Sequence, residues 1–292
     1  MTGAETAIVA GGGSIGRRHT RNLRALGVDV AVSDPDADAR ATITEELGLA
    51  TFERLSSAIS EQNPDFVVVA APNSVHLDLA LKAAESHCHL FIEKPLSHTM
   101  ARVDDLERLV TERGLVSLVG CNMRFHPEIR KMKALLDDDV VGNVVAARIE
   151  AGSYLPEWFP EGDYRESYSA RADLGGGVIL DYIHELNYAQ WFFGPIRTVS
   201  AMAGQQTGLD IETNDVAGIL AETEDGTLCG FHLDYTQRAY SRSCQIIGEE
   251  GTIRWSWQDG CVEWYDATTD RWDQFDRPND WEPGIVESKD VG

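Results

Sequence analysis

The spacing of apolar residues along this chain changes once and divides the chain into two parts. In residues 1–120, short apolar runs rich in Val, Ile and Ala alternate with segments whose apolar residues recur every three or four positions. The runs predict buried parallel strands, and the segments between them predict the helices that cover those strands. After about residue 197, apolar and polar residues alternate with a period of two between glycine-containing turns. That alternation is typical of an antiparallel sheet with one covered face.

The pattern predicts two domains, and 292 residues are enough for each to have a core. Residues 1–121 are predicted to form a doubly wound parallel sheet of the Rossmann type. Residues 122–292 are predicted to form an α+β domain whose open, mostly antiparallel sheet carries helices on one face. We expect one continuous helix over residues 178–193. The last predicted strand covers residues 262–265, and residues 272–292 are polar.

A glycine-rich segment follows the first predicted strand. Gly11, Gly13 and Gly16 have the spacing G-x-G-x-x-G between a strand and a helix, the context in which this motif binds a dinucleotide. The three glycines permit a tight turn, an approach of the backbone to a pyrophosphate, and close packing of the helix. The N–H groups at the helix start, around Ser14 and Ile15, then face the phosphates.

The residue after the second apolar run bears on the choice of cofactor. Asp34 stands 18 positions beyond Gly16, where a carboxylate accepts hydrogen bonds from both ribose hydroxyls and repels a 2′-phosphate. This favours NAD over NADP. Arg17, Arg18 and Arg40 are each close enough in sequence to reach a 2′-phosphate, and solvation at the surface is their alternative role.

Charge and composition exclude several classes of protein. The formal net charge is −23, from 48 acidic and 25 basic residues, and such a surface disfavours nucleic acids and anionic membranes. Only five basic residues are lysines, which predicts adaptation to a salty cytoplasm; an ordinary acidic enzyme is the alternative. Five scattered cysteines suit a reducing cytosol. We see no secretory signal, membrane span or metal-ligand spacing.

Polar motifs follow two of the predicted strands, at the edge where doubly wound sheets bind ligands. They are Pro72-Asn73, with His76 shortly after, and Glu93-Lys94-Pro95. A third motif, Gly175-Gly176-Gly177, precedes Asp181 and His184, which lie three positions apart and share one face of the predicted helix. An imidazole titrates near neutral pH, so His184 is a candidate general acid or base, with a structural role as the alternative.

Taken together, these motifs resemble the Gfo/Idh/MocA family of NAD(P)-dependent oxidoreductases. The resemblance covers about residues 5–266 and rests on the ordered set of motifs, including His19 and the segment Asn122-Met123-Arg124-Phe125-His126-Pro127. Residues 175–194 are similar to a subgroup that acts on sugars or nucleotide-linked sugars. Relatives continue past the sheet into further helices, so the chain is either a short member or a fragment.

The resemblance implies a role for each motif. Lys94 hydrogen-bonds the reacting hydroxyl, Pro95 fixes the turn through a cis bond in the family manner, and His184 is the general acid/base. Asp181 orients the imidazole or holds the substrate, although many relatives space this pair four apart. The remaining cofactor contacts are expected from Pro72, Asn73, His76 and Glu93.

An aromatic-rich loop and an arginine are the predicted substrate contacts. Flat rings suit sugar faces, and arginine suits carboxylate or phosphate groups. The residues are Arg124, Tyr154, Trp158, Arg165 and Tyr168. Loop packing or a subunit contact is the alternative role for the aromatic loop, and Tyr235, Arg238 and Arg242 share that ambiguity.

The predicted function is hydride transfer between NAD and a secondary alcohol or ketone of a sugar, polyol or nucleotide sugar, in the cytoplasm and without a metal. A redox-assisted glycosidase that uses NAD transiently is one alternative. A non-catalytic cofactor sensor is another, against which Lys94 and His184 argue. We expect a homodimer or homotetramer formed through the exposed face of the second sheet, where the apolar side chains of Leu228, Phe231 and Ile246 need cover.

Overall fold

The computed structural model describes residues 5–160, 162–278 and 281. Its internal contacts divide the chain into two compact units. The first comprises residues 1–120 and 173–175, and the second comprises residues 121–172 and 176–292. Each unit has hydrophobic clusters of its own.

The first unit is a parallel sheet of six strands in the order β3-β2-β1-β4-β5-β6. Its strands are β1 (Thr6–Ala10), β2 (Asp29–Ser33), β3 (Thr51–Phe52), β4 (Phe66–Val69), β5 (His89–Ile92) and β6 (Ser117–Val119). Its helices are α1 (Ser14–Ala25), α2 (Ala37–Leu47), α3 (Leu55–Gln62), α4 (His76–Glu85) and α5 (Val103–Arg113).

Both faces of this sheet are covered, which explains why its strands are apolar without alternation. The neighbouring residues Ile8 and Val9 on β1 point to opposite faces, and each is fully buried in a different hydrophobic cluster. The strand order reverses between β1 and β4. In doubly wound sheets this reversal opens a crevice at the carboxyl ends of the strands, where ligands bind.

The second unit is a sheet of eight strands in the order β14-β13-β12-β11-β7-β10-β9-β8, and all its pairs are antiparallel except β7 with β10. Its strands are β7 (Val144–Gly152), β8 (Ile196–Gly204), β9 (Val216–Thr223), β10 (Leu228–Asp234), β11 (Ser241–Gly248), β12 (Gly251–Ser256), β13 (Cys261–Asp266) and β14 (Arg271–Asp276). Its helices are α6 (Pro127–Asp137), α7 (Val178–Asp181) and α8 (Ile183–Phe193). The predicted fold class is therefore confirmed for both parts of the chain.

One face of the second sheet packs against the helices, and this corrects the set of residues expected on the open face. Phe231 and Ile246 are 4% and 0% exposed and belong to the core, in one cluster with Tyr188 of α8. Leu228 is 45% exposed. Side chains along a strand alternate between faces, so residues 228 and 231, an odd number of positions apart, point to opposite sides.

Two local elements also differ from the prediction. The helix expected over residues 178–193 is interrupted at Tyr182, whose φ and ψ are −95° and 29°, so that α7 ends before α8 begins. No strand was predicted after residue 265, yet β14 pairs with β13 there. Its residues are mostly exposed and polar, as suits an edge strand, and they give no apolar alternation that could have indicated it. Residues 279–280 and 282–292, also assigned to the second domain, lie outside the described residues.

Candidate active site

The glycine loop after β1 is shaped as a dinucleotide site requires. Gly11 has a φ of +114°, and a Cβ at that position would overlap the carbonyl oxygen of Ala70. A Cβ at Gly16 would overlap the carbonyl oxygen of Gly11, so the start of α1 lies directly against the loop. Nothing lies within 4 Å of a Cβ built at Gly13. The loop therefore leaves an open surface at the point where the helix begins.

The start of α1 presents backbone N–H groups at that surface. The N-cap is Gly13, which brings no side chain that could cap the first turn. Ser14 is exposed and Ile15 half-buried. Helix N-termini of this kind bind phosphate groups through backbone N–H donors and the helix dipole.

The carboxylate of Asp34 is fixed beside the glycine loop. Its Oδ2 accepts a hydrogen bond of 2.6 Å from the N–H of Gly12, and its Oδ1 accepts one of 2.8 Å from Asp36. Each oxygen has a second lone pair that can still accept a ribose hydroxyl. Arg40 is held next to it by bonds to the carbonyl oxygens of Asp34 and Pro35.

The motif after β5 is tied to the first helix of the unit. Glu93 Oε1 lies 2.6 Å from Nε2 of His19 on α1, and Glu93 Oε2 accepts the N–H of Lys94 at 3.2 Å. Lys94 is half-buried, and the Lys94–Pro95 peptide bond is cis, as the resemblance implied. The backbone at Lys94 is thus held next to the helix that begins at the glycine loop.

The motif after β4 contains two buried polar side chains. Asn73 is 4% exposed and donates from Nδ2 to the carbonyl oxygen of Gly175 at 2.9 Å. His76 is 1% exposed, and both of its ring nitrogens face backbone carbonyl oxygens. Pro72, which precedes them, is exposed. These residues stand at the ligand-binding edge of the sheet, and their cofactor contacts stay predictions.

In the second unit, Asp181 and His184 lie on either side of the break between α7 and α8. Both are buried, at 5% and 8% exposure. Tyr235, directly after β10, donates from its hydroxyl to Asp181 Oδ2 at 2.6 Å. Burial, and then the Asp181 carboxylate, raises the pKa of Tyr235 well above its ordinary value of 10.0, so the hydroxyl remains a donor. The sequence did not indicate that this carboxylate is already bonded to a strand end.

Two further hydrogen-bonded groups hold the segment around His184. The hydroxyl of Tyr182 lies 2.7 Å from Ser153 Oγ, which also accepts the indole N–H of Trp158 at 2.7 Å. Glu185 forms a two-bond ion pair with Arg242 of β11, at 2.6 and 3.1 Å, with both side chains buried. The role of Glu185 was missed, although a charged residue in a mostly apolar helix was a visible signal.

The predicted substrate residues fall into two groups. Trp158 is half-buried and packs edge-on against Tyr182 and Tyr235 at the margin of the core, and Arg124 Nε donates to Asn187 Oδ1 at 2.7 Å. The other three have different surroundings. Tyr154 lies under the guanidinium of Arg238 at 3.5 Å, Arg165 pairs with Asp163 at the surface, and Tyr168 is half-buried.

The part of the chain that the structure describes holds neither a metal-binding cluster nor a helix that could span a membrane. No group of three or more His, Cys, Asp or Glu side chains there could hold a metal ion. None of the helices in the described ranges is both long and apolar enough to cross a membrane.

Comparisons with known proteins match both units. Residues 6–121 match the model described as an oxidoreductase family with an NAD-binding Rossmann fold, and residues 129–254 match the model of the GFO/IDH/MocA C-terminal domain. Inositol 2-dehydrogenase 3 of Saccharopolyspora erythraea is 30% identical over 258 residues, which are 84% of this chain and 71% of that protein.

Two further proteins extend the comparison. The 2,7-anhydro-N-acetylneuraminate hydratase of Mediterraneibacter gnavus is 30% identical over 175 residues, or 60% of this chain, and the match spans 45% of the hydratase's length. The crystal structure of GenD2 from gentamicin A biosynthesis, in complex with NAD, superposes with a TM-score of 0.80 at 26% identity. That superposition covers 97% of this chain and 82% of GenD2.

Proposed function

Since this chain belongs to the Gfo/Idh/MocA family and has an NAD-binding Rossmann domain, we propose that it transfers a hydride between NAD and a secondary alcohol or ketone of a sugar, polyol or nucleotide sugar. The family, the oxidoreductase class and NAD as the cofactor are confirmed by the comparisons. The observation that carries the rest of the proposal is Lys94, held by the Glu93 turn at the carboxyl edge of an NAD-binding sheet.

The first unit presents the groups that would contact NAD. The open surface over Gly13 and the first N–H groups of α1, at Ser14 and Ile15, would hold the pyrophosphate. The carboxylate of Asp34, already oriented by Gly12, would accept the ribose hydroxyls. When bound, NAD supplies the acceptor for the hydride.

The protein groups would handle the proton and the oxygen of the substrate. The ammonium of Lys94 would donate a hydrogen bond to the reacting oxygen and stabilise the negative charge that develops there. The imidazole of His184 would remove the hydroxyl proton during oxidation and return it during reduction. Asp181, which accepts a hydrogen bond from Tyr235, would orient the imidazole of His184 or hold the substrate.

A second candidate is supported by the hydratase relative. That protein is named as a hydratase, and its similarity to this chain spans 60% of the chain. An enzyme of this kind would use NAD transiently, to assist elimination or hydrolysis of a glycoside. It differs from a dehydrogenase in one observable, because it turns over substrate without a net yield of NADH.

The test is a screen of sugars, uronates and nucleotide sugars with NAD, read by NADH absorbance and by product analysis. On the best substrate, Lys94→Ala and His184→Ala should each lower kcat by ~10²-fold or more, while NAD binding stays near normal. Asp181→Asn should cost less. Lys82→Ala, an exposed lysine of α4, is the control and should behave as the native protein.

Two outcomes decide between the candidates. Product formed without NADH would replace the dehydrogenase with the transient-redox enzyme. A near-normal kcat in either the lysine or the histidine variant would remove that residue from the mechanism.

We also propose that the chain self-associates through the open face of the second sheet, and that it works in a salty cytoplasm. The open face carries exposed Met202, Leu220 and Leu228. Met202 and Leu220 line a trough of about 450 Å³, to which Gly218 and Gly230 contribute no side chain. Exposed apolar surface of this kind is typical of an interaction site. The cysteines are free thiols, as a reducing cytoplasm favours.

A further inference from the structure

His76 makes two contacts that a neutral imidazole cannot satisfy together. It is the first residue of α4 and is 1% exposed. Its Nδ1 lies 2.8 Å from the carbonyl oxygen of Pro95, and its Nε2 lies 2.7 Å from the carbonyl oxygen of Ala71. Both distances are those of short hydrogen bonds.

The chemistry of the partners sets the protonation of the ring. A backbone carbonyl oxygen only accepts hydrogen bonds, and a neutral imidazole carries a single N–H. In the neutral ring, which is 1% exposed, one nitrogen lone pair would face a carbonyl lone pair at hydrogen-bond distance. Only the imidazolium ion donates to both oxygens.

Two effects oppose the cation. Burial disfavours the charged form of the ring, which is 1% exposed, and the N-terminus of α4 carries roughly half a positive elementary charge from the helix dipole. Against them stand two charge-assisted hydrogen bonds, which are about twice as strong as neutral ones. The acidic residue in the first turn, Asp78, is paired with Arg102 at 2.8 Å, so it is the two bonds that favour the cation.

The two carbonyl groups belong to the two loops that carry the candidate site. Ala71 lies between the end of β4 and Asn73, and Pro95 directly follows Lys94. We propose that His76 is a doubly protonated positioning residue, which ties the main chain next to Lys94 to the loop after β4. The ring thereby sets where the ammonium of Lys94 can point. This step rests on the proposed function, because it gives Lys94 contact with the substrate.

The direct test determines how many ring nitrogens of His76 carry a proton. In native protein made with isotope-labelled histidine, NMR at neutral pH should show one imidazole with two protonated nitrogens and two slowly exchanging ring N–H protons. His76→Gln identifies the signal by its loss; if that variant fails to fold, contacts between the ring protons and the loop residues identify it in the native protein. A single protonated nitrogen at His76 overturns the proposal.

The second test separates positioning from packing. His76→Phe keeps a flat ring without donors and should lower kcat about tenfold or more, since small misplacements at a reacting centre are costly. His76→Gln, which can donate to one carbonyl, should recover part of that loss. His87→Asn is the control, because His87 is exposed at the end of the same helix and asparagine tolerates its positive φ.

The outcomes distinguish this inference from the proposed function. An unchanged kcat in His76→Phe rejects the positioning role even if the ring is doubly protonated. If no sugar-type substrate is oxidised or reduced by the native protein, the proposed function fails, while the NMR result still decides the state of His76.

Discussion

The carboxylate of Asp34 holds the glycine loop, and it is the proposed contact of the cofactor ribose. It holds the N–H of Gly12 and stands where the ribose hydroxyls of a dinucleotide bind. We predict that Asp34→Ala weakens NAD binding by about tenfold and reduces the rejection of NADP, because the repulsion of a 2′-phosphate is removed. Fluorescence titrations with both nucleotides measure the change, and Asp29→Ala, at the exposed start of β2, is the control.

Nucleotide titrations of the native protein alone can contradict this prediction. Tighter binding of NADP than of NAD would reject the role of Asp34. Arg40, whose guanidinium is held at the backbone of the same loop, would then be the candidate contact of the 2′-phosphate.

At the scale of elements, a buried ion pair joins α8 to β11. Removing one partner leaves the other charge buried and unpaired, which typically costs about 3–5 kcal/mol of unfolding free energy. We therefore predict losses of that size for Arg242→Met and for Glu185→Leu, measured by denaturant unfolding. The double variant should recover most of the loss, because apolar side chains of similar volume can replace a buried pair.

A matched pair on the sheet surface serves as the control. Arg254 and Glu263 form a similar ion pair between β12 and β13, but the side chain of Arg254 is half exposed. Arg254→Met should change the unfolding free energy by only about 0–1 kcal/mol. Equal losses at the buried and exposed pairs would contradict the argument from burial.

Two buried groups at the start of α6, His126 and Glu128, are expected to respond to acid. His126 Nδ1 lies 3.0 Å from Glu128 Oε2, and Arg277, after β14, forms two hydrogen bonds with the same carboxylate. Burial lowers the pKa of His126 below its ordinary value of 6.5. Burial alone would raise the pKa of Glu128, but the contacts with His126 and Arg277 lower it below 4.5.

The lowered pKa values of His126 and Glu128 change the stability of the folded state in the same direction. A lowered pKa in the folded state means that the unfolded chain binds protons first, so folding loses free energy as the pH falls. We predict that the contribution of His126 is complete above pH 6.5 and declines below it, and that the contribution of Glu128 declines below pH 4.5. Thermal melts from pH 8 to about pH 4 measure this, and His126→Phe should remove the first decline. A melting temperature that rises between pH 7 and about pH 5 would contradict it.

At the scale of the whole molecule, the net charge of −23 governs the response to salt. The Debye length is ~30 Å at 0.01 M and ~3 Å at 1 M ionic strength, so repulsion across the surface is screened only at high salt. We predict that the melting temperature and the activity rise with KCl into the molar range. Melts and activity assays across a KCl series measure both.

Self-association of the protein should also increase with the KCl concentration. Contact through the open sheet face leaves acidic surface outward on both copies, so screening should favour it. Light scattering at each KCl concentration reports the molecular mass, and Met202→Glu should weaken the association. A flat or falling melting temperature would remove the adaptation to salt, and a monomer at every concentration would remove the interface.

Local rules were enough to predict much of this protein. Apolar runs and their periods located β1, the helices and most strands of the second sheet, because strand and helix periods act over a few residues. The glycine loop followed from three positions whose turn and close packing need no distant partner; Gly11, with its positive φ, is one of them. The order of the motifs along the chain was enough to predict the family.

The tertiary structure alone decided the partners of the site residues. Asp181 bonds to Tyr235 across 54 positions, Glu185 to Arg242 across 57, and Arg277 to Glu128 across 149. Each pair depends on which strands are neighbours and in what register, and no local pattern contains that information. The same holds for His76, whose state depends on two carbonyl oxygens that only the packed loops bring to its ring.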